Sequence, residues 1–203
     1  DFPEISETEI TRHFTRLSQK NYCVDVGLYP LGSCTMKYNP KVNERLSAHA
    51  AFAGSHPMAS EDLIQGNLEL LKTLERFLCE IAGMDAFTLQ PAAGAHGELT
   101  GMMLIRAALE ARGDARKYVL IPDSAHGTNP SSAHICGYTV KEIKSNENGT
   151  IDLAGLEREM TDEVAALMVT NPNTLGVFEP DIQKIAALVH AKGEAAGKVA
   201  VEA

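Results

Sequence analysis

An α/β fold, with a mostly parallel sheet flanked by helices, is the architecture this sequence predicts, and three observations lead to it. Short apolar runs of the kind that become strands covered on both faces alternate with segments of helical period. Each short run is followed at once by a polar or glycine-containing segment, as in sheets that bind ligands at the carboxyl ends of their strands. With 203 residues, 44% of them hydrophobic, the chain has enough apolar surface for a real core.

The elements follow in order. Ser6-Glu7-Thr8-Glu9 has the spacing of a capping box, and Ile10, Phe14 and Leu17 follow at helical intervals, which predicts a first helix over residues 8–20. Residues 21–57 are irregular, with Gly27, Pro30, Gly32, Pro40 and Pro57, and allow one short helix over 42–49. An ordered loop of this length is more often functional than ornamental. Leu63, Leu68, Leu71, Leu74, Leu78 and Ile81 form an apolar stripe between the cap Ser60 and the stop Gly83, which predicts a long helix. Strands are then expected at 86–89, 118–121, 138–143 and 165–170, with helices at 98–111, 131–136, 153–160 and 182–191. Residues 193–197 read as a spacer, and 199–201 as a short strand. The chain thus divides into an N-terminal helix and loop segment (1–57), a partial large domain (58–193) and an atypical tail (194–203).

Charge and cysteine usage narrow the function classes. The formal net charge of -9 disfavours a nucleic-acid backbone as partner and provides no polybasic patch for a membrane surface. No run approaches the roughly 20 apolar residues of a spanning helix, and Asp1-Phe2-Pro3-Glu4 is not a signal peptide. Cys23, Cys34, Cys79 and Cys136 are scattered without a CxxC pair, so neither a zinc site nor a disulfide framework is expected, and a cytoplasmic location fits.

The chemistry is concentrated at the expected strand ends. In residues 90–98, Gly94, Ala95 and His96 stand where small residues let backbone amides meet an anion at a helix start, although a tight turn explains the glycines equally well. The segment lacks the Gly-Lys-Ser/Thr of a P-loop. Residues 122–130 place His126 in the expected crevice, where an imidazole can stack on a flat ring or move a proton, or can serve structure alone. Residues 170–176 offer Asn173 and Thr174 to a ligand oxygen, or form an ordinary Asn-Pro turn. In the irregular loop, residues 29–40 gather Ser33, Cys34, Thr35, Lys37 and two tyrosines. Cys34 as the nucleophile of a thiol hydrolase needs a positioned histidine, and a packed thiol is the plainer reading. Lys37 with Lys41 reads as a surface or anion-contacting pair.

Five blocks, residues 12–18, 29–40, 90–101, 122–130 and 170–176, occur in an order that resembles subunit 2 of glycine decarboxylase, the P-protein of the glycine cleavage system. The resemblance implies a fold-type-I transferase-like architecture dependent on pyridoxal phosphate. It also implies decarboxylation of glycine, with transfer of the aminomethyl group to the lipoylated H-protein, and a subunit 1 as partner. By the same resemblance, Gly94, Ala95 and His96 meet the cofactor phosphate, and His126 stacks on its ring as the candidate catalytic residue. Asn173 and Thr174 line the cofactor, and Ser33, Cys34 and Thr35 approach the glycine side. Members of the family continue past the Gly193 region with an Asp-Gly-Ala-Asn strand end and then a His-Lys that attaches the cofactor, and neither motif occurs here. The expectation is therefore a truncated chain, inactive alone, with a non-catalytic assembly piece as the alternative.

Overall fold

The computed structural model describes residues 2–27, 38–193 and 201–202, the last two and residues 192–193 as backbone only. The chain divides into two compact units, residues 1–89 and 90–203.

The first unit is helical. Helix α1 (Glu7–Ser18) starts as the capping box demands: Glu9 N–H donates to Ser6 Oγ at 3.3 Å, and the Glu9 carboxylate accepts from Ser6 N–H at 3.1 Å. Two short helices follow, α2 (Lys41–Ser47), overlapping the expected span, and α3 (Ala50–Ala53). The expected long helix is divided, with a 3-10 turn at Glu61–Leu63 preceding α4 (Gln65–Ala82). Gly83 stops α4 at φ 66°, a left-handed cap that glycine adopts without strain. The apolar stripes exist as the periodicity requires, yet none of these helices buries a residue. Residues 86–89, expected as a strand, lie outside every strand among the described residues. An extended run becomes a strand only through a paired neighbour, and among the described residues no strand ladder includes this one.

The second unit is the α/β body. Helix α5 (Gly94–Ala111) leads to β1 (Tyr118–Pro122), α6 (Thr128–Ile135), β2 (Thr139–Ile143), α7 (Leu153–Glu159), β3 (Val164–Val169), α8 (Ile182–Gly193) and β4 (Val201–Glu202). Helices α5 and α6 begin three to four residues earlier than their apolar periodicity predicts. Their first turns are small or polar residues that carry no periodic signal, and Pro130 is tolerated in a first turn because its missing N–H has no helical acceptor there. The strands pair in parallel in the order β2-β1-β3-β4.

Both faces of the sheet are covered, as the unbroken apolar strands β1 and β3 require. On one face Met102, Ile105 and Leu109 of α5 and Ala133 and Cys136 of the α6 region pack on Val119, Ile121, Ala166 and Met168. On the other, Leu156 of α7 and Ile185 of α8 pack on Leu120, Ile143, Val164 and Leu167. The alternation of Val119, Leu120 and Ile121 between faces is the period of two that a strand imposes. Val164 and Ala166 would share a face by that rule, but a register shift opposite Tyr118 and Val119 puts Ala165 in excess and sends them to different faces. Among the described residues, no helix is long and apolar enough to cross a membrane.

Candidate active site

Chain order decides where a ligand fits. From β1 the chain moves outward to β2 and then returns to β3 on the other side of β1, so the crevice at the carboxyl ends of β1 and β3 lies at a topological switch point. A small cavity occupies that place, lined by Pro122 at the end of β1, by Ser124 and Ala125 after it, and by Thr170, Asn173 and Glu179 after β3. The segments that the sequence marked around His126 and Asn173 therefore flank one sheet edge.

Side-chain hydrogen bonds fix the two loops. The Asp123 carboxylate accepts from both the N–H of Ser145, at 3.1 Å, and its hydroxyl, tying the end of β1 to the segment after β2. These bonds hold Asp123 below the usual aspartate range, the Ser145 side chain being the largest cause. A lowered native value stabilises the fold above the ordinary aspartate pKa of about 3.9. The contribution is lost as pH falls from there through the native value. Ser145→Ala is therefore expected to reduce stability at neutral pH by about 1 kcal/mol or less and to flatten the acid limb, as urea unfolding between neutral pH and pH about 3 would show. An unchanged acid limb would mean that Asp123 is not held by Ser145.

After β3, Asn173 is spent on its own loop. Its Nδ2 donates to the Gly149 carbonyl at 2.9 Å, and its Oδ1 accepts from Leu175 N–H at 3.0 Å and Val177 N–H at 3.1 Å. The Thr174 hydroxyl donates to the Ser124 carbonyl, joining the loop after β3 to that after β1. Both side chains thus shape the crevice wall. The Asn171–Pro172 peptide is cis. Beside it Glu179, 9% exposed, accepts from Ile151 N–H at 2.8 Å and Asp181 N–H at 3.2 Å, so both carboxylate oxygens are occupied.

The start of α5 is built differently. Ala93 is extended at φ -154° and ψ 163° and caps the helix without any side-chain bond. His96 N–H and Gly97 N–H turn back to the Ala93 carbonyl at 3.0 and 3.2 Å. Of the three predicted amide donors, Gly94 and Ala95 are then the two that precede the first intrahelical acceptor. Among the described residues, nothing lies within 4 Å of a Cβ placed on Gly94, so none of them crowds that side of the first residue of this 18-residue helix.

His126, exposed after β1, joins this helix through one residue. Thr128 Oγ1 lies 2.8 Å from His126 Nδ1 and donates to Glu98 Oε1 at 3.0 Å, so the β1–α6 connection is held against the second turn of α5. Two buried groups lack partners among the described residues: Glu98 Oε2, and both side-chain polar atoms of Asn129, a residue 1% exposed. Glu98, Thr128, Asn129 and Glu179 were not singled out from the sequence. The Glu98–Thr128 pair spans 30 residues and two helices, a separation that no local pattern encodes. Ser33, Cys34, Thr35 and Lys37 lie outside the described residues, while Lys41 pairs with Asp25 at 2.8 Å. No cluster of three or more metal-ligating side chains occurs among the described residues.

Comparison with known proteins agrees with this architecture. The class-V aminotransferase family matches residues 99–197. In structure the chain is similar over its whole length to a glycine decarboxylase (P-protein) of the glycine cleavage system in inhibitor-bound form, with TM-score 0.73, 24% identity and 44% of that chain covered. It is also similar to a sphingosine-1-phosphate lyase of Burkholderia pseudomallei, with TM-score 0.66, 18% identity and coverage of 95% of this chain and 47% of that one. In sequence it is 59% identical over 95% of its length to the probable glycine dehydrogenase (decarboxylating) subunit 2 of Caldanaerobacter subterraneus, covering 40% of that protein. The counterpart in Pyrococcus horikoshii is 57% identical over 95% of this chain and 39% of its own length. The chain therefore has a fold-type-I architecture and is a homologue of glycine dehydrogenase (decarboxylating) subunit 2, spanning about 40% of the length of the relatives it matches.

Proposed function

We propose that this chain supplies the phosphate-binding helix and one ring-facing histidine of a glycine decarboxylase that uses pyridoxal phosphate. The observation that carries the reading is the uncapped start of α5, with open space at Gly94, bonded through Glu98 and Thr128 to the segment of His126 at the sheet's carboxyl edge. These residues fit the cofactor: two amides on a helix N-terminus suit a phosphate dianion, and an exposed imidazole suits a flat ring. Gly94 and Ala95 would hold the phosphate, with His96 behind them, and His126 would lie on the ring. Asn173 and Thr174 would keep the facing wall in shape, and Ser33, Cys34 and Thr35 would approach the glycine side. When bound, pyridoxal phosphate supplies the electron sink for cleaving the bond between the α-carbon and the carboxylate. In the whole protein, carbon dioxide would leave and the aminomethyl carbon would bond to one sulfur of the H-protein's lipoyl disulfide, reducing the other to a thiol, with subunit 1 as partner.

The test is an amide-resonance titration of the chain with pyridoxal phosphate and, separately, inorganic phosphate. Both are expected to move Gly94 and Ala95, and only the cofactor is expected to move the His126 ring. Unmoved resonances in that turn would overturn the reading.

Four lysines are expected to stay out of the chemistry. Lys41, Lys72, Lys141 and Lys144 each hydrogen-bond a carboxylate, respectively of Asp25, Glu75, Glu159 and Glu142, and these bonds raise each amine above its usual range. A protonated amine is no nucleophile. Borohydride reduction in stoichiometric pyridoxal phosphate, followed by peptide mapping, is expected to show no selective adduct at any of the four. Complete modification of one would mean that its ion pair does not hold in solution.

A further inference from the structure

We propose that the neutral His126 ring carries its proton on Nε2, fixed there by the main chain of Thr128, so that His126 meets a ligand as a hydrogen-bond donor to an anionic oxygen. The inference starts from the first turn of α6. Thr128 is the first residue of that helix, so its amide has no acceptor within the helix, and the N-cap Gly127 makes no side-chain bond to the helix start. His126 Nδ1 accepts this N–H at 3.2 Å. The same local motif occurs twice more in the chain. His49 Nδ1 accepts from Ala51 N–H at 3.2 Å, and His56 Nδ1 accepts from Met58 N–H at 3.0 Å. In each case the ring turns back onto the amide two residues on, and the nitrogen that accepts has no proton of its own. A neutral imidazole then carries its proton on the other nitrogen, here Nε2.

The Thr128 hydroxyl does not reverse the assignment. Its oxygen lies 2.8 Å from Nδ1 and 3.0 Å from Glu98 Oε1, and its one proton turns about the C–O bond to serve either acceptor. The backbone N–H has no such freedom, because the peptide plane fixes its direction. A proton on Nδ1 would point toward the amide proton of Thr128, deprive that amide of its acceptor and stand at the positive end of α6. What sets His126 to work is where its other edge lies. Its Nδ1 edge is tied to α6 by the amide and, through Thr128 Oγ1, to Glu98 on α5, while the residue as a whole is exposed beside the crevice after β1. An N–H at Nε2 donates to a carboxylate or another anionic oxygen and opposes the N–H groups of an ammonium. The opposite tautomer would present a lone pair and reverse that preference.

The assignment deepens the proposed reading of His126 as the ring-facing residue, but it is measured without cofactor, so the two can fail separately. The experiment is nitrogen NMR of the histidine rings in the labelled chain, at a pH about two units above the ordinary histidine value of about 6.5. The native His126 ring is expected to show a protonated Nε2 and a bare Nδ1, with a scalar coupling across the hydrogen bond between Nδ1 and the Thr128 amide nitrogen. Thr128→Val keeps the amide and removes the hydroxyl, and Glu98→Gln removes the carboxylate. Both variants are expected to keep the Nε2 proton and the coupling, because the main chain sets them. Amide resonances of Val119, Leu120 and Ile121 report whether a variant keeps the core. If one variant fails to fold, the native ring and the other variant decide the question. A native ring protonated on Nδ1, or no coupling to the Thr128 amide, overturns the proposal. Movement of the proton to Nδ1 in a folded Thr128→Val chain also overturns it, since the hydroxyl and not the main chain would then set the tautomer.

Discussion

Gly94→Pro is expected to weaken pyridoxal phosphate binding by about ten- to a hundredfold while leaving α5 in place. Proline is favoured at the first position of a helix because the amide it lacks has no helical acceptor there. It also requires an extended residue before it, and Ala93 at φ -154° and ψ 163° is already extended. The Cβ of the ring has room, since among the described residues it would meet nothing within 4 Å. What the substitution removes is one backbone donor to the phosphate. A hydrogen bond to a charged group contributes about 1.5 to 3 kcal/mol, which is the fold-change stated above. Pyridoxal without its phosphate serves as control, and the variant should bind it as the parent does. Calorimetric titration with the two ligands separates the cases. Equal loss for both would mean that the substitution disturbs the ring side, and no loss for either would remove the phosphate from this helix.

The helices and strands of this protein were largely legible in the sequence because they rest on local periodicity. The capping box at Ser6 and Glu9, the apolar runs of β1 and β3, and the glycine after α4 each say by themselves what the backbone does there. Residues 86–89 misled because a β-type composition specifies an extended run but not a neighbour to pair with. The Ala165 bulge was hidden for a related reason, as it is a property of two strands in register. At the site, the segments around Gly94, His126 and Asn173 stood out through residue types that prefer turns and helix starts. Their internal roles did not. Asn173 faces a loop carbonyl and two loop amides, and Glu98 reaches Thr128 across 30 residues, neither of which follows from spacing along the chain.

Replacing Asn129 by leucine is expected to stabilise the fold by about 1 to 3 kcal/mol, against the usual direction of change in a buried position. Asn129 is 1% exposed, and neither its Oδ1 nor its Nδ2 has a hydrogen-bond partner among the described residues. Each buried, unpaired polar atom costs about 1 to 3 kcal/mol relative to water, and the backbone bond of this residue to the His126 carbonyl at 3.0 Å does nothing for the side chain. Leucine has the same branching but bulkier methyl groups; it removes both orphan atoms and gains apolar burial, at an overpacking cost of about 1 to 3 kcal/mol. Asn129→Leu and Asn129→Ala should both raise the urea midpoint with the slope unchanged, the leucine variant more. Lower stability in both variants would show that the carboxamide is partnered in solution, and the argument from its isolation would fall with that result.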